Sequence, residues 1–307
     1  LLVEMGHAVT GSDLHESDVI EELRQRGAEI SIGHKAAVVH GADVVTYSTA
    51  IPLNNVELVE AQRSGIETRH RSGMLASLCA ATNAVGIAGT HGKTTTTALV
   101  TAMTTAGGLH PSSIIGADVL GGTGNVHGDG SLLIIEADES DGTLDVLPLS
   151  SLVVTNIDID HLDYFGTFDA IKACFGDAIK RTGGMIVLNA DDEGSASLVK
   201  ALGQDRRVTT FGRSENSMVR IMSSIPNNEG TLVEVRVDEQ VYKCELKLRG
   251  DHNTMNFVAA LAAAVQLGVD PAVACTAASA FRGVARRFTE RGDFRGSLLI
   301  DDYAHLP

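Results

Sequence analysis

The segment Gly89-Thr90-His91-Gly92-Lys93-Thr94-Thr95-Thr96 follows the apolar run Ala84-Val85-Gly86-Ile87-Ala88 and precedes Ala98-Leu99-Val100. That order predicts a strand, a tight glycine turn and a helix, which commits this region to an α/β arrangement. Two glycines let backbone N–H groups face a phosphate chain, Lys93 supplies a point charge for the outer phosphates, and the Thr94 hydroxyl can ligate a bridging Mg2+. The stretch therefore reads as a cradle for a nucleoside triphosphate. The usual phosphate-loop spacing places a glycine five residues before the Gly-Lys pair. Ile87 stands at that position and the upstream glycine is Gly89, so the loop is shorter than the common form.

A chain of 307 residues exceeds what one core usually supports, and two cores are expected. Apolar residues make up 44% and charged residues 21%, without a long polar tract, so the whole chain reads as globular. The net charge of -15 argues against a general nucleic-acid or anionic-membrane surface, and any anionic substrate must be held by a local basic site. No apolar run reaches the roughly 18 residues of a membrane span, and no secretory signal is present, which points to the cytoplasm. Cys79, Cys174, Cys244 and Cys275 show no paired spacing and read as reduced, buried thiols. Leu1-Leu2-Val3-Glu4-Met5-Gly6 reads as the tail of a helix, and the chain stops just after a strand, so both ends are expected to be trimmed.

Before the phosphate loop, short strands and helices alternate. Strands are expected at 7–13, 43–48 and 66–68, with helices at 18–26, 55–64 and 72–80, which implies a parallel sheet of the doubly wound kind. Ligands in such folds sit beyond the carboxyl ends of the strands, where Asp13 and Ser48 fall. These two are candidates for holding a nucleotide-like group, with a cap or turn role as the alternative. Arg63, Arg69, His70 and Arg71 form a basic cluster that reads first as a solvated face. His15, His34, His40 and His127 lack company that would give them a role.

Beyond the loop, a glycine-rich stretch at 116–130 is too polar for a core element. Leu132-Leu133-Ile134-Ile135-Glu136 then reads as a buried strand ending in Glu136, Asp138, Glu139 and Asp141, and a strand at 152–156 ends in Asp158, Asp160, His161 and Asp163. Hard carboxylates at two strand ends suit Mg2+, which takes one or two protein carboxylates beside phosphates. A lone histidine after a strand is commonly a surface group, but the company of His161 favours a metal role. Helix, strand and helix follow at 168–180, 185–188 and 195–202. Period-two segments at 219–222, 231–237 and 241–248 suggest an antiparallel insert. A long apolar helix opens at Asp251 and carries Asn253 and Asn256 on one face of its first turn. Exposed amides there could read a purine edge, or Asn253 could cap the helix. Pro271 starts another helix ending near Phe281, and Arg286-Arg287-Phe288 would suit charge neutralisation beside phosphates.

Taken jointly, Gly89 to Thr96, Glu136-Ala137-Asp138-Glu139-Ser140-Asp141, Asn156 through Asp163, His252-Asn253 with Asn256, Arg286-Arg287-Phe288 and Asp301-Asp302-Tyr303-Ala304-His305 resemble the Mur ligases over essentially the whole chain. The resemblance implies three domains. Residues 1–81 would be a truncated Rossmann-like domain for the UDP substrate. Residues 82–294 would be a P-loop ATPase-type domain with a mostly parallel sheet and a small antiparallel insert, and 295–307 would begin a carboxy-terminal domain. It also implies an ATP- and Mg2+-dependent ligase that joins L-alanine to UDP-N-acetylmuramate through an acyl phosphate.

Carried over residue by residue, the resemblance gives Lys93, Glu136 and His161 to catalysis and Thr94, Glu136 and His161 to Mg2+. ATP would be bound by Gly89, Thr90, His91, Gly92, Lys93, Thr94 and Thr95, with Asn253 and Asn256 at adenine, Arg287 at the phosphates and Asp302 at the ribose. Asp13 and Ser48 remain the substrate-side candidates. A ligase that recycles murein tripeptide and a nucleotide-binding module without turnover are the alternatives. The 307-residue piece alone is expected to bind weakly and turn over negligibly, because domain closure supplies part of such a site. Gly73 departs from the acidic residue usual in the family before Met74-Leu75.

Overall fold

The computed structural model describes residues 1–120, 124–160, 162–202, 207–287 and 289–303. Contacts divide the chain into two compact units, Leu1–Ala81 and Thr82–Pro307. In the first unit the order is β1 (Thr10–Asp13), α1 (Asp18–Gln25), β2 (Glu29–Ile32), a 3-10 turn (Ala36–Val39), β3 (Val44–Tyr47), α2 (Val56–Arg63), β4 (Glu67–His70) and α3 (Arg71–Ala80). Side-chain caps set where the helices begin: the Ser17 hydroxyl accepts the amide of Ile20, and Asn55 accepts that of Glu57. Pairing is parallel, but β1 joins β2 and β3 joins β4 as two separate two-stranded sheets, in place of the single sheet expected. The strand β2 was not anticipated, because four residues, Glu-Ile-Ser-Ile, are too short for periodicity to register.

The second unit runs β5 (Asn83–Ala88), α4 (Lys93–Ala106), β6 (Ser112–Ile114), β7 (Leu132–Glu136), α5 (Thr143–Val146), β8 (Ser151–Val154), α6 (Leu162–Phe165), α7 (Phe168–Arg181), β9 (Ile186–Asn189) and α8 (Glu193–Leu202). It continues with β10 (Val208–Gly212), β11 (Val219–Pro226), β12 (Thr231–Val237), β13 (Gln240–Leu246), α9 (Asp251–Gln266), α10 (Pro271–Ala280), β14 (Thr289–Phe294) and β15 (Ser297–Asp301). Among the described residues nine strands form one sheet in the order β13-β12-β11-β10-β9-β8-β5-β7-β6. From β11 to β6 all pairs are parallel, while β11-β12 and β12-β13 are antiparallel. The antiparallel segment is thus continuous with the parallel sheet through β10, and β14 and β15 form a separate hairpin.

The strands buried on both faces, such as β5 and β8, read as unbroken apolar runs, as parallel strands covered by helices do. On one face α9 packs against the sheet and α4, with Ala259 to Ala264 and Phe257 fully buried. A helix so rich in alanine buries every side and lets backbones approach closely. α7 is different: Ile171, Phe175, Ala178 and Ile179 make one buried stripe at helical spacing. Cys244 and Cys275 are joined as a disulfide tying β13 to α10, with Cα atoms 5.3 Å apart, and Cys174 is only half-buried. The expectation of four buried, reduced thiols is therefore corrected. The two partners lie 31 residues apart and meet only because α10 folds back on the sheet edge.

Phe257 is fully enclosed, so Phe257→Ala should cost about 3–5 kcal/mol in denaturant unfolding, by lost transfer free energy plus a cavity. In the first unit, hydrogen bonds from Arg63, then His40 and Ser64, hold the Glu60 carboxyl down at about 2, below its ordinary 4.5. A depressed folded value means this contribution is complete above pH 4.5 and is lost as pH falls toward 2. Glu60→Gln should therefore flatten the fall of the melting temperature across that window; an unchanged slope would refute the pairing.

Candidate active site

Three adjacent strands bring the chemistry together. Ile87 pairs with Glu136 and Ala88 with Val154, so β7, β5 and β8 finish side by side and their following loops share one crevice. The chain leaves β5 toward β6 and β7 on one side and later fills β8, β9 and β10 on the other. This reversal of strand order is where open α/β sheets bind ligands.

The loop from β5 to α4 turns through Gly89 (φ +127°) and Gly92 (φ +83°), both in the left-handed region. A Cβ on Gly92 would collide with the amide of Asn256, and one on Gly89 with Thr155. No side chain caps α4, which leaves its first N–H groups for a ligand. The segment after β8 clamps the loop from outside. Asn156 accepts the His91 amide through Oδ1 at 2.9 Å and donates to the His91 carbonyl at 3.0 Å, which also accepts the Thr155 hydroxyl at 2.6 Å. Thr90 Oγ1 accepts the amide of Asp158 at 2.9 Å.

A cavity of about 660 Å³ opens over this loop. Thr90, His91, Gly92, Lys93, Thr94, Thr95, Glu136, Asn253, Asn256, Arg287 and Asp302 all line it, whereas Gly89, at the turn after β5, does not. His161 lies outside the described residues. Asp13 and Ser48 belong to the first unit, where both are exposed: Asp13 accepts the His15 amide and the Ser48 carbonyl accepts that of Ile51.

The Thr94 hydroxyl donates to Glu136 at 3.2 Å, and the other Glu136 oxygen accepts the Gly116 amide at 2.8 Å. The glycine-rich stretch, expected only to lie outside the core, thus supplies a ligand to the site. Burial pushes the Glu136 carboxyl up, against the opposing pull of Gly116, Thr94, Lys93 and Arg287. Among the described residues no three His, Cys, Asp or Glu side chains converge on a metal position. Thr94 and Glu136 are nevertheless a donor set that fits Mg2+, which needs few protein oxygens beside phosphates and water. A desolvated carboxylate beside a hydroxyl is what such a cation would stabilise.

Several features were not anticipated. Asn253 and Asn256 are buried, at 7% and 6% exposure, not exposed amides. Asn253 sits inside the first turn and donates to the Arg249 carbonyl at 2.8 Å, so it does not cap α9; Gly250 holds that position. Tyr303 lies under both arginines, 4.7 Å from Arg286 and 5.7 Å from Arg287, and its amide donates to the Arg286 carbonyl. Arg286 itself has φ +60°, a conformation uncommon for a residue with a Cβ. Asn189, His252 and Met255 also line the cavity. In the first unit His34, given no role from sequence, meets Ser12 at 2.9 Å, and Ser12 donates to Glu57 at 2.7 Å. Of these, His252, Arg286 and Tyr303 fall within the motifs that carry the resemblance, whereas Asn189, Met255 and His34 left no sequence signal.

The profile of the Mur ligase middle domain matches residues 87–264, and that of the Mur ligase family catalytic domain matches residues 1–83. The UDP-N-acetylmuramate--L-alanine ligase of Rhodopseudomonas palustris (strain BisA53) is 40% identical over 317 aligned residues, covering 100% of this chain and 68% of the relative. The chain belongs to the Mur ligase family. The corresponding protein of Nitrobacter winogradskyi is 39% identical with the same coverage. Among solved structures, UDP-N-acetylmuramate-alanine ligase from Thermotoga maritima superposes with a TM-score of 0.83 at 26% identity, covering 99% of this chain and 70% of that one. A UDP-N-acetylmuramate:L-alanyl-gamma-D-glutamyl-meso-diaminopimelate ligase from Neisseria meningitides gives 0.80 at 25% identity, covering 93% and 94%. Among the described residues of this Mur ligase, no helix is long and apolar enough to cross a membrane.

Because Gly92 meets Asn256 so closely, Gly92→Ala should weaken ADP binding by about tenfold or more. The folded state should survive, since the strain is confined to the loop. Calorimetric titration beside a thermal melt checks both.

Proposed function

We propose that the protein joins L-alanine to UDP-N-acetylmuramate at the expense of ATP, acting in the cytoplasm in peptidoglycan precursor synthesis. What carries this reading is the 40% identity to an L-alanine ligase across the whole chain, together with a cavity in which the phosphate loop and Glu136 face each other. Residues 1–81 would hold the UDP substrate, with Asp13 and Ser48 at the ends of their strands. Residues 82–294 would bind ATP, and 295–307 would open the amino-acid domain.

A carboxylate is a poor electrophile, because its leaving group would be oxide. Transfer of the terminal phosphoryl group of ATP to the lactyl carboxylate forms a C–O–P bond and releases ADP. The alanine amine then attacks the carbonyl carbon, the C–O bond to phosphate breaks, and the amine loses a proton. Two anions meet in the first step, so positioning and charge neutralisation are the main tasks of the protein. Lys93 and the first amides of α4 orient the phosphates, and Arg287, held by Tyr303, adds a second cation. Thr94 and Glu136 would hold Mg2+, with His161 as a further ligand by motif position. When bound, that cation lowers the repulsion between phosphate and carboxylate oxygens. Asn253 and Asn256 would meet adenine from beneath the loop, and Asp302 the ribose.

The Neisseria meningitides likeness favours a second reading, in which the acceptor is a tripeptide. Phosphate release is therefore measured on the full-length protein with ATP, UDP-N-acetylmuramate and either L-alanine or the tripeptide. L-alanine should support turnover and the tripeptide should not. Lys93→Ala should lower the alanine-dependent rate by about 100-fold or more. Turnover with tripeptide alone, or none with either, would overturn the proposal.

A further inference from the structure

Lys93 has no donor to spare in this structure. Its ammonium group lies 2.7 Å from the Gly89 carbonyl, 3.4 Å from that of Thr90, and 3.2 and 3.1 Å from the two carboxylate oxygens of Glu139. Asp138 stands further off, at 3.7 Å. An ammonium carries three protons, so a phosphate oxygen can be bound only by exchange for one of these partners. The carbonyls belong to the loop itself and move with it, whereas Glu139 belongs to the segment leaving β7.

Glu139 is 2% exposed, and the turn that carries it is closed by its own hydrogen bonds: Ser140 donates to the Asp138 carboxylate, Gly142 to the Glu139 carbonyl and Leu144, in α5, to the Asp138 carbonyl. Every step that draws Lys93 toward phosphate leaves this carboxylate further from its cation in a place without solvent. Breaking a buried pair strands the remaining charge at considerable cost.

We propose that Glu139 is a positioning residue that limits the grip of the loop on the phosphate chain, keeping Lys93 withdrawn before nucleotide arrives and drawing it back so that ADP can leave. The inference rests on Lys93 serving the phosphates, as set out above. It makes Glu139 an opponent of nucleotide affinity and a contributor to turnover.

The test is a double-mutant cycle on the full-length protein with ADP, and AMP as a ligand with too short a phosphate chain to engage Lys93. Glu139→Gln keeps the shape and removes the charge. It should tighten ADP at least about fivefold, leave AMP unchanged, and lower kcat and the KM for ATP together. In the Lys93→Met background the same change should not tighten ADP. Glu139→Asp, which keeps the charge, should give less tightening than Gln and serves if the Gln variant melts early. Weaker or unchanged ADP binding by a normally folded Glu139→Gln protein overturns the inference, as does equal tightening of AMP. If Lys93→Met alone binds ADP like the unmodified protein, the reading of the loop fails and this inference with it. A weakened Lys93→Met with an unresponsive Glu139→Gln sinks this inference alone.

Discussion

The pairing of Ile87 with Glu136 and of Ala88 with Val154 is the constraint on which the rest of the site depends. Side chains alternate along a strand, so a slip of one residue between β5 and β7 would turn Glu136 away from Thr94. The register is held by burial, since Val85, Ile87, Ile134 and Val153 all lie in the core. Packing against α4 and α9 on that face therefore decides the geometry of polar groups that make few contacts of their own.

The charges in the cavity illustrate the same dependence. Burial pushes the carboxyls of Glu136 and Glu139 up, even though Lys93 lies near both. In each, burial outweighs the hydrogen bonds and cations that the fold delivers. Such an arrangement is poorly suited to stability and well suited to receiving a ligand, because desolvated groups gain most from a new partner. The chain is strongly acidic overall, so attraction for polyphosphate must come locally, from Lys93, Arg287 and the open end of α4.

Much of this is legible in the sequence. The phosphate loop, the strand ending at Glu136 and the long helix from Asp251 left local signals: glycines, unbroken apolar runs and helical spacing. The strands β2, β6 and β10 did not, since they are three to five residues long and are stabilised by neighbours distant in sequence. The expected exposure of Asn253 and Asn256 failed for a related reason. Polar residues at a helix start ordinarily face solvent, but α9 is covered by α4 and the sheet. The Lys93–Glu139 pair spans 46 positions and the cysteine pair 31, and neither spacing carries a signal.

The phosphate loop is short for its kind. A loop with one glycine displaced from the usual spacing has fewer residues to hold its own shape, and here support comes from two other elements. Asn156 and Thr155 fix the His91 peptide from the β8 side, and Asn256 fills the space beside Gly92 from α9. The alanine run that follows on α9 lets that helix approach closely enough for an asparagine side chain to reach the turn. Composition far from the reacting atoms, small residues on one helix and an amide at the end of one strand, thus does the shaping that a longer glycine-rich loop would do for itself.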